Sequence, residues 1–183
     1  KVMSLCEEIA PLAPVKYLPR LDMKKSVDWI FANKDKIASI ICSWGITGII
    51  PDFLRLEALG IPIFTSSGNS GKEKMRFPAN LPWVFSVGAW DINKERVEIY
   101  STYGKELDCV IPDNIYWISG KGKPMTDDGT SFCAPVVPRM LRLTGRDYTR
   151  QEAYDFVRAN CKDVLEPGCD IKSGYGLFIL PEL

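Results

Sequence analysis

Ile37-Ala38-Ser39-Ile40-Ile41-Cys42-Ser43 is almost continuously apolar, the pattern of a strand covered on both faces, as in a parallel sheet. Upstream, Met23, Val27, Ile30 and Phe31 fall at helical spacing behind Asp22, which suits an N-cap. Downstream, Pro51 is placed for the first turn of a helix through Phe53, Leu56 and Leu59, with Gly60 as its C-cap. Ile61 to Ser66 is the next strand, followed by Val84 to Ala89, Leu107 to Ile111 and a shorter one at Ile115 to Ile118. Val15 to Leu18 reads as an earlier strand, ended by Pro19. A helix is expected from near Ser131 towards Leu143, with Pro138 freeing the carbonyl of Ala134 and kinking it or ending its regular part. Thr149-Arg150-Gln151-Glu152 is a capping box opening a helix with Ala153, Phe156, Val157 and Cys161 inward. Strands alternating with helices predict an α/β domain with a mostly parallel sheet and helices on both faces. No repeat or linker interrupts it, so residues 1–183 read as one domain.

Composition narrows the function. The 183 residues are 46% apolar and 25% charged, an ordinary globular balance. Equal numbers of basic and acidic side chains, 23 each, leave no footprint for nucleic acid or anionic lipid. No apolar run approaches the ~20 residues that span a bilayer. Six cysteines show no Cys-x-x-Cys spacing, so neither a zinc site nor a redox motif is expected, and no cofactor is called for. Cys42 and Cys109 sit in strand-like runs as buried thiols, while Cys161 and Cys169 are close enough in sequence to allow a disulfide. This usage leans towards a reducing, cytoplasmic compartment. The chain has no histidine, so His-dependent chemistry must be completed from elsewhere.

Open α/β sheets place working residues at the C-terminal ends of strands. Two segments fit that rule. Ser66-Ser67-Gly68-Asn69 releases a strand into a glycine turn and presents an amide. Gly129-Thr130-Ser131-Phe132-Cys133-Ala134-Pro135 throws a serine onto a helix start, where developing negative charge is stabilised. Taken singly, a serine at a helix start is an N-cap and a Gly-Asn is a turn. As an ordered set, these segments resemble the Gly-Thr-Ser-x-Ala-x-Pro and Ala-Ala-Gly-Asn segments of subtilisin-like serine peptidases. Ile9-Ala10-Pro11, Val15-Lys16-Tyr17-Leu18, Phe77-Pro78-Ala79, Val84 to Asp91, Tyr100-Ser101-Thr102-Tyr103-Gly104, Leu107 to Pro112 and Gly174-Tyr175-Gly176-Leu177 resemble further segments of that family, in order along the chain.

The resemblance implies a doubly wound, subtilisin-like α/β domain that hydrolyses peptide bonds by acyl transfer. It makes Ser131 the nucleophile, Asn69 the side-chain oxyanion donor and Thr130 the support behind it. Ser43-Trp44-Gly45 matches the edge that pairs with an extended peptide or protein substrate. With Ser66, Ser67 and Gly68 it would wall the pocket for the residue preceding the scissile bond, whose floor falls near Met75 and Arg76. Trp44, in place of a smaller apolar residue, would narrow the pocket several residues earlier.

The chain also departs from the family pattern. The family orders Asp, His and Ser along the chain, and neither the Asp nor the His can be placed here. Lys1-Val2-Met3 fits the slot after the family's His, which puts the missing N-terminal part, with both residues, upstream. Three explanations follow: a portion of an active peptidase, one of two associated chains after cleavage, or a degenerate member that only binds peptide. The first two make an N-terminal segment carrying Asp and His a partner of this chain. On their own, these 183 residues are expected to be inactive. The segment from Cys6 to Ile9 is too short for the family's calcium loop. Pro19 to Met23 is too short for a second strand flanking the substrate.

Overall fold

A computed structural model describes residues 22–118 and 122–182. The Val15 to Leu18 strand, the Cys6 to Ile9 segment and most of the Pro19 to Met23 connection lie outside those residues. The first helix, α1 (Met23–Ala32), begins as its sequence dictates, with the Asp22 carboxylate accepting from the Lys25 N–H at 3.2 Å. Strand β1 (Ile40–Cys42) is shorter than the apolar run around it. The Ile37 N–H is spent closing a 3₁₀ turn on the Lys34 carbonyl, and the first bond to the neighbouring strand is made by Ile40 to Pro62, at 2.9 Å. Helix α2 (Pro51–Leu54) tightens into a 3₁₀ segment, Arg55–Leu59, and ends at Gly60, whose φ of 66° suits a residue without a Cβ.

Strands β2 (Ile63–Ser66), β3 (Phe85–Asp91) and β5 (Cys109–Pro112) follow, with the short β4 (Arg96–Val97) folded back on β3. The sheet order is β1-β2-β3-β5-β9-β8, where β8 is Cys161–Lys162 and β9 is Leu177–Phe178. Every pairing from β1 through β9 is parallel, and only β8 and β4 run against their neighbours. Ile115–Ile118 is a strand, as expected. However, it pairs as β6 with β7 (Pro124–Asp127) in a separate antiparallel hairpin. The sequence shows no signal for β7, because its described side chains are largely exposed and do not alternate.

Period-two alternation divides the core between the two faces. Ile63 packs with Val27 and Ile30 of α1 and Phe53 and Leu56 of the second helical segment. Its neighbour Phe64 packs on the other face with Phe85, Val87, Cys109 and the C-terminal helices. Those helices are α3 (Thr130–Cys133), α4 (Val136–Leu143) and α5 (Arg150–Ala159). The chain therefore forms a mostly parallel α/β sheet with helices on both faces, the subtilisin-like arrangement.

The break between α3 and α4 falls at Ala134 and Pro135, ahead of Pro138. Pro138 cannot donate to the Ala134 carbonyl, so the ladder stops there. It then occupies the first turn of α4, where its missing N–H goes unused. Helix α5 opens on the expected Thr149–Glu152 capping box. Cys161 is not on that helix but on β8, half-buried against the same core. Tyr154, not anticipated as a core residue, pins α5 to the sheet by donating to the Ile63 carbonyl at 2.9 Å and accepting from its N–H at 3.0 Å. Cys42, Cys109, Cys133, Cys161 and Cys169 are all free thiols, so the allowed Cys161–Cys169 bridge is not formed. Burial pushes the Cys42 thiol up to about 12. No helix among the described residues is long and apolar enough to cross a membrane.

Candidate active site

Strands β1 and β2 run parallel, so the segments that leave their C-terminal ends emerge on one side of the sheet. Helix α3, seated over β2, β3 and β5, brings Ser131 to the same place. Ser43 touches it directly. The Ser43 hydroxyl donates to the Ser131 carbonyl at 2.8 Å, and the Ser131 hydroxyl reaches the Ser43 carbonyl at 3.5 Å. Ser131 is half-buried and lies in the first turn of α3, among the N–H groups that a helix leaves without an internal acceptor.

Asn69 is held from the other side. The Thr130 N–H and hydroxyl both donate to Asn69 Oδ1, at 3.1 and 2.7 Å. A backbone N–H can only donate, so the bonded atom must be the amide oxygen, and the Asn69 NH₂ is left free to donate elsewhere. Fully buried Thr130 accepts in turn from the Gly68 N–H at 3.2 Å, tying the two motif loops together. Gly129 precedes Thr130 with φ 124°, and a Cβ there would lie 3.2 Å from Asn69 Nδ2. The turn therefore needs glycine both for its conformation and for the close approach of the amide.

A cavity of about 310 Å³ opens beside these groups, lined among others by Trp44, Gly45, Ser66, Ser67, Gly68, Asn69, Thr130 and Ser131. The candidate nucleophile, oxyanion and pocket-wall residues thus converge, Ser43 through its bonds to Ser131. Trp44 closes one end by edge-on contact with Phe53, ring centroids 5.9 Å apart. The expected pocket floor is corrected in part. Met75 is buried in a core cluster with Trp90 and Val110, whereas Arg76 and its neighbour Lys74 reach the cavity. Among the described residues no group of His, Cys, Asp and Glu side chains is arranged to hold a metal ion.

One support of the Gly129-Thr130-Ser131 turn was not expected from the sequence. The Gly129 N–H donates to the Tyr100 hydroxyl at 3.0 Å, and that hydroxyl donates to the carboxylate of buried Asp113. Burial, reinforced by the Asp113 carboxylate, raises the Tyr100 hydroxyl far above its ordinary value, so it stays a donor. The available signal was only Tyr100's place at the head of the matched Tyr100-Ser101-Thr102-Tyr103-Gly104 segment.

Comparison with known proteins identifies the family and the fold. The sequence profile of the subtilase family matches residues 17–176. This chain belongs to the subtilase family. The thermostable alkaline protease of Halalkalibacterium halodurans is 26% identical over 148 residues, covering 76% of this chain and 41% of that protein. Subtilisin BL of Lederbergia lenta is 34% identical over 79 residues, 43% of this chain and 29% of the relative. The chain thus spans less than half the length of either curated relative. The crystal structure of a lanthipeptide protease shares the fold, with TM-score 0.77 at 20% identity over 97% of this chain and 71% of that one.

Proposed function

We propose that this chain carries the nucleophile and oxyanion donors of a serine endopeptidase, completed by a His and an Asp on a segment outside these 183 residues. The supporting observation is the clamp on Asn69. Its amide oxygen is occupied by both donors of Thr130, which commits its NH₂ to the cavity beside Ser131. In the reaction, Ser131 Oγ attacks the scissile carbonyl carbon while its proton passes to the imidazole. The carbonyl oxygen becomes anionic and accepts from Asn69 Nδ2 and the Ser131 N–H. The adduct then collapses, the C–N bond breaks and the amine leaves with the imidazole's proton. Water repeats the sequence on the acyl ester and frees the acid. Substrate lies extended along Ser43, Trp44 and Gly45, with Ser66, Ser67 and Gly68 walling the pocket for the residue before the scissile bond.

A peptide-binding module without chemistry could use the same edge. It needs no more than that edge, which can pair with extended peptide backbone without any chemistry at Ser131. Turnover by the Asn69→Ala variant separates the two readings. The peptidase reading predicts a fall in kcat of about 10²–10³ with KM little changed, the loss seen for the corresponding donor of a subtilisin. A folded protein that hydrolyses no peptide, whether wild type or variant, would leave the binding reading standing.

A further inference from the structure

We infer that the cavity beside Ser131 receives an acidic side chain, Asp or Glu, from the residue preceding the scissile bond. The inference rests on the peptidase reading only for which substrate residue enters; the chemistry of the cavity stands apart from it.

Trp44 is the one large apolar side chain among the residues lining the cavity. Ser66, Ser67 and Thr102 supply hydroxyls, Lys74 and Arg76 supply two cations, and no carboxylate lines it. The cations are also uncommitted. Lys24, Lys25, Arg55, Lys94, Arg142 and Arg158 each sit within 4 Å of a carboxylate, but among the described residues Lys74 and Arg76 have no such partner.

Ser67 adds a third, independent observation. It is 3% exposed, and its hydroxyl finds no hydrogen-bond partner among the described residues. Buried hydroxyls are nearly always bonded, so an unpaired one on a cavity wall marks a place for a ligand acceptor. By contrast, the hydroxyls of Ser70 and Thr102 already pair with each other at 2.9 Å.

An apolar substrate side chain would leave the Ser67 hydroxyl unpaired and would gain nothing from the two cations. A basic one would meet like charge. A carboxylate accepts from Ser67 and neutralises Lys74 and Arg76 through charge-assisted bonds. The volume of about 310 Å³ accommodates either acidic side chain.

The test is equilibrium binding of extended peptides to the whole protein carrying Ser131→Ala, which needs no turnover. The peptides differ only at the residue before the intended scissile bond: Glu, Asp, Gln, Leu or Lys. The Glu or Asp peptide is expected to bind about tenfold or more tightly than the Gln peptide at low salt. That preference should vanish in a Lys74→Met/Arg76→Met double variant, whose exposed substitutions leave the core untouched. Equal affinity for Glu and Gln peptides, a preference for Leu, or an acidic preference that survives the double variant would overturn the inference. Turnover by the wild-type protein, measured in parallel, separates the readings. Hydrolysis without acidic preference sinks this inference alone, and acidic preference without hydrolysis sinks only the peptidase reading.

Discussion

Gly129 and Tyr100 show how much of the site depends on single atoms. A Cβ at position 129 would force a left-handed φ on a residue that resists it and would press on the Asn69 amide. The Tyr100 hydroxyl bridges two buried groups, the Gly129 N–H and the Asp113 carboxylate. Tyr100→Phe strands both and is expected to cost about 1–3 kcal/mol, read as a lower urea midpoint. Adding Asp113→Leu to that variant should recover part of the loss, since removing both partners costs less than removing one. No loss in the single variant would mean that the bridge carries no weight. Ser131 and Asn69 were legible because each lies in a contiguous motif. Tyr100 and Lys74 were not, because their roles arise only where loops distant in sequence meet, and Arg76 was placed only by its position in the matched pocket floor. Tyr100 reaches Gly129 across 29 positions.

Elements were legible where their signals are local and lost where neighbours decide. The Asp22 cap and the Thr149–Glu152 box are written in consecutive residues, and α1 and α5 begin where these say. The limits of β1 depend on where Pro62 offers a carbonyl, and β7 exists because β6 lies beside it, so neither could be read from a local pattern. The α5 box makes a direct prediction. Thr149→Ala is expected to destabilise by about 1 kcal/mol in urea unfolding, the usual cost of a lost N-cap. The Thr149 hydroxyl and N–H hold the Glu152 carboxyl below its ordinary range. The carboxylate's contribution is therefore complete above the ordinary glutamate range and is lost as pH falls through the lowered value. The difference between wild type and Thr149→Ala should shrink in the same acid window. A difference constant from neutral to acid pH would remove Glu152 from the box.

For the whole molecule, the parallel sheet gathers the segments after β1 and β2 to one side, and α3 lays Ser131 across them. Two helical layers bury Ile63 on one face and Phe64 on the other, giving that edge a rigid base. The cysteines belong to this core rather than to the chemistry. Cys133, two residues from Ser131, is fully buried, and burial raises its thiol far above the ordinary range. All 183 residues lack histidine, so the proposed peptidase chemistry needs an imidazole from another segment. Fluorophosphonate labelling tests Ser131 as the nucleophile most directly, performed on the intact protein as isolated and followed by peptide mapping. The account predicts one covalent label, on Ser131, absent from Ser131→Ala and slowed in Asn69→Ala. A folded, intact protein that takes no label, or takes it on another serine, would contradict it.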